Sequence, residues 1–84
     1  MIKSIQVYGR GCANCQRLYK LAEEVVSELG SDIQIVKVEN LNEMLAAGVM
    51  HTPALAFDGK LVMQGKIPTA ATLKNWILTY QENK

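Results

Sequence analysis

This 84-residue sequence holds only two cysteines, two prolines, one histidine, one tryptophan and one phenylalanine. Each scarcity excludes something. Small secreted scaffolds held by disulfides usually carry four or more cysteines, so two cannot build such a framework. Nine Lys and Arg stand against eight Asp and Glu, a net charge of +1, without the basic excess that marks a nucleic-acid or anionic-membrane binder. No apolar run approaches the roughly 18 residues of a membrane span. The opening Met1-Ile2-Lys3-Ser4-Ile5-Gln6 lacks the basic-then-apolar pattern of a signal peptide. No internal repeat, linker or low-complexity stretch is present. With 49% hydrophobic residues the chain is too apolar to be disordered. The expectation is one domain over residues 1–84, soluble, cytoplasmic and monomeric, with neither nucleic acid nor membrane as partner.

The hydrophobic pattern divides the chain cleanly. Ile2 to Tyr8 reads as a strand, ended by Gly9-Arg10-Gly11. From Cys12 the period changes. Leu18, Leu21, Ala22, Val25, Val26 and Leu29 trace one face of an amphipathic helix that stops at Gly30. Ile33 to Val38 is a second strand. Asn40 predicts an N-cap, with Glu43 three residues on, for a short helix through Leu41, Met44 and Leu45 that ends at Gly48. Ala54 to Phe57 and Lys60 to Gln64 are strands joined by the hairpin signal Asp58-Gly59. Thr69 caps a last helix with Leu73, Trp76, Ile77 and Tyr80 on one face. The order β-α-β-α-β-β-α implies an α/β fold. Its four-stranded mixed sheet has one parallel pair, from the right-handed βαβ unit, one antiparallel hairpin, and helices on both faces.

The cysteines fall together as Cys12-Ala13-Asn14-Cys15. A bridge across two intervening residues closes almost no loop, so stapling is a poor reason for the pair and chemistry a better one. Cys12 lies where strand gives way to helix. A helix N-terminus offers unpaired amides and a partial positive charge, which favour thiolate over thiol. Arg10, Arg17 and Lys20 add to that field. Cys15, one turn on, shares a face with Cys12. The expected chemistry is thiol–disulfide exchange: Cys12 attacks a substrate disulfide, and Cys15 displaces the product thiolate and closes an internal bridge. The reverse direction is equally open.

Taken together, Val7-Tyr8-Gly9-Arg10-Gly11-Cys12-Ala13-Asn14-Cys15, Gly48-Val49-Met50-His51-Thr52-Pro53-Ala54, Asp58-Gly59-Lys60 and Gly65 resemble the thioredoxin-like superfamily. More narrowly they resemble its small prokaryotic redox-active disulfide, or thioredoxin/glutaredoxin-like, branch. The resemblance covers nearly the whole chain and implies a minimal thioredoxin-like fold. It implies a cis Thr52–Pro53 bond packed against the active disulfide, and a substrate groove formed by Thr52, Pro53 and Gly65 on which an extended segment can lie. It calls for no cofactor beyond the Cys12–Cys15 disulfide. The partners it implies are a disulfide-containing protein or small molecule and a reductase or thiol electron donor. Departures are visible too. Gly11 stands where larger thioredoxins carry Trp, Ala13-Asn14 where they carry Gly-Pro, and Gln6 where they bury an Asp; an amide cannot relay a proton. Lys37 matches a family lysine near the site, although a strand lysine is more commonly just solvated. Gly65-Lys66-Ile67-Pro68-Thr69 lacks the paired glycine and acidic residue with which glutaredoxins hold glutathione.

His51, the sole histidine, is two residues before Pro53. With Arg10, Ala13 and Asn14 it is a candidate for tuning the thiolate. Met44, Met50 and Met63 read as core or groove fillers, and Trp76 and Tyr80 as helix packing. The rival reading is a small Cu or Zn module, which also sets Cys-X-X-Cys between a first strand and helix. Such modules usually have Met where Arg10 stands and run β-α-β-β-α-β, and two sulfurs leave tetrahedral Zn²⁺ short of ligands. No metal-ligating set is expected. A redox-silent interaction domain on the same fold is the third reading.

Overall fold

The computed structural model describes residues 2–11 and 13–82. Its elements are β1 (Ser4–Tyr8), α1 (Ala13–Glu28), β2 (Gln34–Val38), α2 (Leu41–Ala46), β3 (Ala54–Phe57), β4 (Lys60–Gln64) and α3 (Ala70–Glu82). The order agrees with the one read from the pattern. Strand edges differ by one or two residues: β1 begins at Ser4 rather than Ile2 and β2 at Gln34 rather than Ile33. Ile2 and Ile33 still enter the core, because burial reaches beyond the last ladder hydrogen bond.

The four strands lie in the order β2-β1-β3-β4. β1 runs parallel to β2 and antiparallel to β3, and β3 is antiparallel to β4. Alternation on the central strands sorts the core into two parts. Ile5 and Val7 of β1, with Leu55 and Phe57 of β3, face Leu18, Ala22 and Val25 of α1 and Leu73 and Ile77 of α3. Tyr8, Ala54 and Ala56 face the other way, against Met44 and Val49. Helices therefore cover both faces, α1 and α3 on one and the short α2 on the other. All four residues of β3 are buried, as a strand with neighbours on both edges and helices on both faces requires. Phe57 meets Tyr80 of α3 edge to face, with ring centroids 5.4 Å apart. A register shift at Leu55/Ala56 bulges β4 at Val62, which twists this outer strand and blunts it for pairing with another chain.

The caps are those expected. Asn40 Oδ1 accepts the Glu43 amide at 3.1 Å, and Thr69 Oγ1 accepts the Thr72 amide at 3.2 Å. Gly48, at φ +85, ends α2. Its amide donates to the Leu45 carbonyl and that of Val49 to the Met44 carbonyl. This paired closure needs a left-handed residue, which glycine adopts without strain.

The hairpin turn does more than reverse the chain. Asp58 and Gly59 both have positive φ, 51° and 86°, the geometry that matches strand twist in a two-residue turn. The Asp58 carboxylate accepts the amides of Lys3 at 3.0 Å and Ser4 at 2.9 Å, and its own amide donates to the Ser4 carbonyl. Gln6 Oε1 accepts the Gly59 amide at 2.7 Å, while its Nε2 donates to Ser4 Oγ. The turn is thus pinned to the start of β1. Charge-assisted bonds of this kind contribute about 1.5–3 kcal/mol. Asp58→Ala should lower unfolding stability in urea by about that amount, and Asp58→Asn by less, because one acceptor and the tolerance for positive φ remain. A loss below about 0.5 kcal/mol for the alanine variant would show the turn to be held by the backbone alone.

Candidate functional site

One end of the sheet collects the residues singled out from the sequence. Register aligns Val38, Tyr8, Ala54 and Gln64 in a row across the four strands. The residues one step beyond that row are Glu39, Gly9, Pro53 and Gly65. The row continues past its last paired residues, since the Gly9 amide donates to the Val38 carbonyl at 3.0 Å and the Gly65 amide to the Pro53 carbonyl at 2.8 Å. Two segments that hold residues singled out from the sequence leave the sheet here: Gly9 to Gly11, which leads toward α1, and Met50 to Pro53, which leads into β3. β1 runs into α1 at this end, and α2 returns to β3 at this end.

Cys15, on the first turns of α1, faces the sheet and is only 5% exposed. It is disulfide-bonded. Cys12 lies outside the described residues. Ala13 and Asn14 are exposed, and no acidic side chain occupies the first turn of α1 to offset its positive end. Gln16 Nε2 donates to the Gly11 carbonyl at 3.3 Å, tying the approach segment to the helix it enters.

Gly9 is the tightest point. A Cβ there would fall on Cys15 Sγ and within 2.8 Å of Cys15 Cβ. Its backbone is not left-handed, so glycine is required by space alone. Read from the sequence, Gly9 was only a strand breaker. A glycine tolerated for its φ and one demanded by a neighbouring sulfur look alike in a sequence, so no local signal could have found it.

A cleft of about 130 Å³ opens beside Cys15, bounded by Val7, Gly9 and Gly11 and by Lys37 and Glu39 of the β2 end. Lys37 is exposed, as a solvated strand lysine would be. It also lines this cleft, with its Nζ 4.6 Å from the centroid of the Tyr19 ring. Gln6 is directed elsewhere, to the hairpin turn at the opposite end of the sheet. Tyr8 closes the α2 side of the row. Burial, with the charge of Glu43 adding to it, raises its phenol above the ordinary 10.0, which keeps it neutral.

Pro53 is buried at the start of β3, and the Thr52–Pro53 peptide is cis. Thr52 and His51 are exposed. A Cβ on Gly65 would approach His51 Cβ to 3.3 Å, so His51 packs across Gly65 through its backbone end. Arg10, in the connection between β1 and α1, is exposed. Among the methionines, Met44 is buried and Met63 packs against the core. Met50 departs from the expectation of a core or groove filler. At 82% exposure it projects from the loop, because Val49 before it and Pro53 after it take the buried positions. Gln64, which carried no signal in the sequence, anchors this loop: its Oε1 accepts the amides of Met50 at 2.7 Å and His51 at 3.1 Å.

Comparison with known proteins gives one answer. The thioredoxin domain family model matches residues 3–78. A protein named thioredoxin from Methanothermobacter thermautotrophicus is 44% identical over 70 residues, covering 83% of this chain and 91% of that protein. A thioredoxin from Methanocaldococcus jannaschii is 41% identical over 80 residues, covering 95% of this chain and 92% of its own length. The solved structure of thioredoxin 1 from Thermosipho africanus superposes with a TM-score of 0.66 over 96% of this chain and 99% of the other. At 18% identity that last likeness concerns the fold. No helix among the described residues is long and apolar enough to cross a membrane.

The contact at Gly9 yields a prediction. Gly9→Ala forces the first turn of α1 away from β1 or the sulfur out of its seat. Overpacking of this sort costs about 1–3 kcal/mol. The variant should unfold at lower denaturant and should react faster at Cys15 with an alkylating reagent after reduction. Wild-type stability and alkylation rate would mean that α1 can move off the sheet freely.

Proposed function

The chain belongs to the thioredoxin family and is a thiol–disulfide oxidoreductase, and we propose that Cys12 and Cys15 form its redox pair, with Cys12 the attacking thiolate and Cys15 the resolving thiol. The supporting observation is the seat of Cys15. At 5% exposure behind Gly9, that sulfur cannot meet an external disulfide first. A second sulfur must do so, and Cys12 is the chain's one other cysteine.

In the reducing direction, Cys12 thiolate attacks one sulfur of the substrate disulfide. An S–S bond forms between Cys12 and that sulfur, and the other substrate sulfur leaves as a thiolate. Cys15, deprotonated, then attacks Cys12 Sγ, releases the second substrate thiolate and leaves the Cys12–Cys15 bridge. Two electrons have passed to the substrate. A reductase or thiol donor returns them. The positive end of α1, with no acid in its own first turn, favours the Cys12 thiolate; the exposed Arg10 adds to that field and the Glu39 carboxylate beside Gly11 offsets part of it. Ala13 and Asn14, between the two cysteines in the sequence, and His51, on the α2–β3 loop beside Gly65, complete the tuning set. Thr52, Pro53 and Gly65 form the edge against which the substrate chain lies. We place this chemistry in the cytoplasm, where a dithiol is kept reduced. No metal and no cofactor beyond the redox pair enters the scheme.

The two cysteine variants test it. With dithiothreitol as reductant, wild type should accelerate reduction of an insulin disulfide, and Cys12→Ser should abolish the acceleration. Reduced beforehand and then freed of dithiothreitol, Cys15→Ser should retain attack but not release, so it should accumulate a covalent mixed disulfide with the substrate that added dithiothreitol dissolves. Trapping by Cys12→Ser instead would reverse the two roles. Undiminished turnover in both variants would remove the pair from the reaction.

A further inference from the structure

Between Val49 and Pro53, both buried, the chain crosses the site end of the sheet through Met50, His51 and Thr52, all three exposed. No apolar side chain fastens this stretch. Its backbone is held from β4. One oxygen, Gln64 Oε1, accepts the successive amides of Met50 at 2.7 Å and His51 at 3.1 Å, and the adjoining Gly65 amide donates to the Pro53 carbonyl at 2.8 Å. The orientation of the Gln64 amide is unambiguous, since only its carbonyl can accept and both neighbours are donors. Gln64 pairs with Ala54 in the β3–β4 register, so its backbone is fixed by the sheet while its side chain reaches over the loop.

We propose that Gln64 is a positioning residue that sets the backbone of residues 50–53 as a docking edge for an extended polypeptide disulfide. This rests on the reading of Thr52, Pro53 and Gly65 as the substrate edge. Two consequences follow from the geometry. The Met50 and His51 amides are occupied by Gln64 and turned inward to β4, so a substrate strand cannot pair with them. Within this loop its main-chain pairing is confined to Thr52, because Ala54 after Pro53 is buried and paired on both sides. The clamp also matters in proportion to how much of the edge a substrate uses. A folded or extended polypeptide needs the loop in place, whereas a small aromatic disulfide needs little more than the attacking sulfur. Gln64 therefore acts on which disulfides are taken rather than on the sulfur chemistry.

The amides are exposed, so water replaces the lost acceptor and the fold survives substitution while the loop loosens. Gln64→Met removes the acceptor at similar length. Gln64→Glu retains it, with a carboxylate able to accept both amides. For Gln64→Met, KM for insulin should rise roughly fivefold to tenfold with kcat within about twofold. The ratio of kcat/KM for insulin to that for dithiobis-nitrobenzoate should fall by a similar factor. Hydrogen exchange at the Met50 and His51 amides should quicken roughly tenfold. Gln64→Glu should restore all three near neutral pH, and its introduced carboxyl should titrate below the ordinary value of about 4.3 because two N–H groups hold its charged form. Unchanged KM and exchange in Gln64→Met overturn the proposal. So does a Gln64→Glu variant that behaves like Gln64→Met, or whose carboxyl titrates at or above the ordinary value. A wild-type protein that reduces no disulfide would instead remove the reading of the substrate edge, and amide exchange and the carboxyl titration would still decide whether Gln64 clamps the loop.

Discussion

The first turns of α1 lie so close to the end of β1 that no side chain fits between them. Gly9 and Cys15 meet there, sulfur against backbone. What presses them together is remote from the contact. The stripe Leu18, Ala22 and Val25 packs on Ile5, Val7 and Leu55, and a helix so seated carries its first turn down onto the strand. The result is a cysteine held nearly out of water at the positive end of a helix. Neither property belongs to the sulfur itself. Both are conferred by where the hydrophobic face of the helix is made to sit.

Sheet register then decides what stands opposite. Because Tyr8 pairs with Val38 on one side and Ala54 on the other, and Ala54 with Gln64, segments distant in sequence leave the sheet at one edge. The β2 end brings Lys37 and Glu39 to the cleft beside Cys15. The start of β3 brings Pro53, and the end of β4 brings Gln64 and Gly65. A shift of one residue in any pairing would turn alternate side chains to the other face and break this grouping. The opposite edge is secured by polar bonds from Asp58 and Gln6 to the start of β1. The hairpin therefore fixes the register whose consequences appear at the far end.

Gln6 illustrates how a family position can change its work. Where larger thioredoxins bury an acid, this chain has an amide, and the amide binds the Gly59 amide at the hairpin rather than approaching the cysteines. The ionisable groups that line the cleft beside Cys15 are Lys37 of β2 and Glu39 just beyond its end.

Much of this was legible in the chain itself, and for local reasons. Helical and strand periods, the Asn40 and Thr69 caps and the Asp58-Gly59 turn each depend on residues within a few positions of one another, so the element order and the mixed sheet could be read directly. The Cys-X-X-Cys spacing and its place at a strand-to-helix junction are local as well. Met50 departs from the filler role its apolar neighbours suggest, because burial depends on what covers a loop, and the buried places on either side go to Val49 and Pro53. Gly9 and Gln64 gave no sign of their roles. A glycine needed for room and a glutamine that reaches two amides 13 and 14 positions away acquire meaning only once strands are paired and a helix is laid on them. Sequence alone determined which segments become helix or strand and that the two cysteines fall at a strand-to-helix junction, since hydrogen bonding along the chain and side-chain periodicity are short-range. Tertiary structure decided that the Cys15 sulfur is shielded and what holds the loop beside Pro53, since both follow from long-range packing that no stretch of the chain encodes by itself.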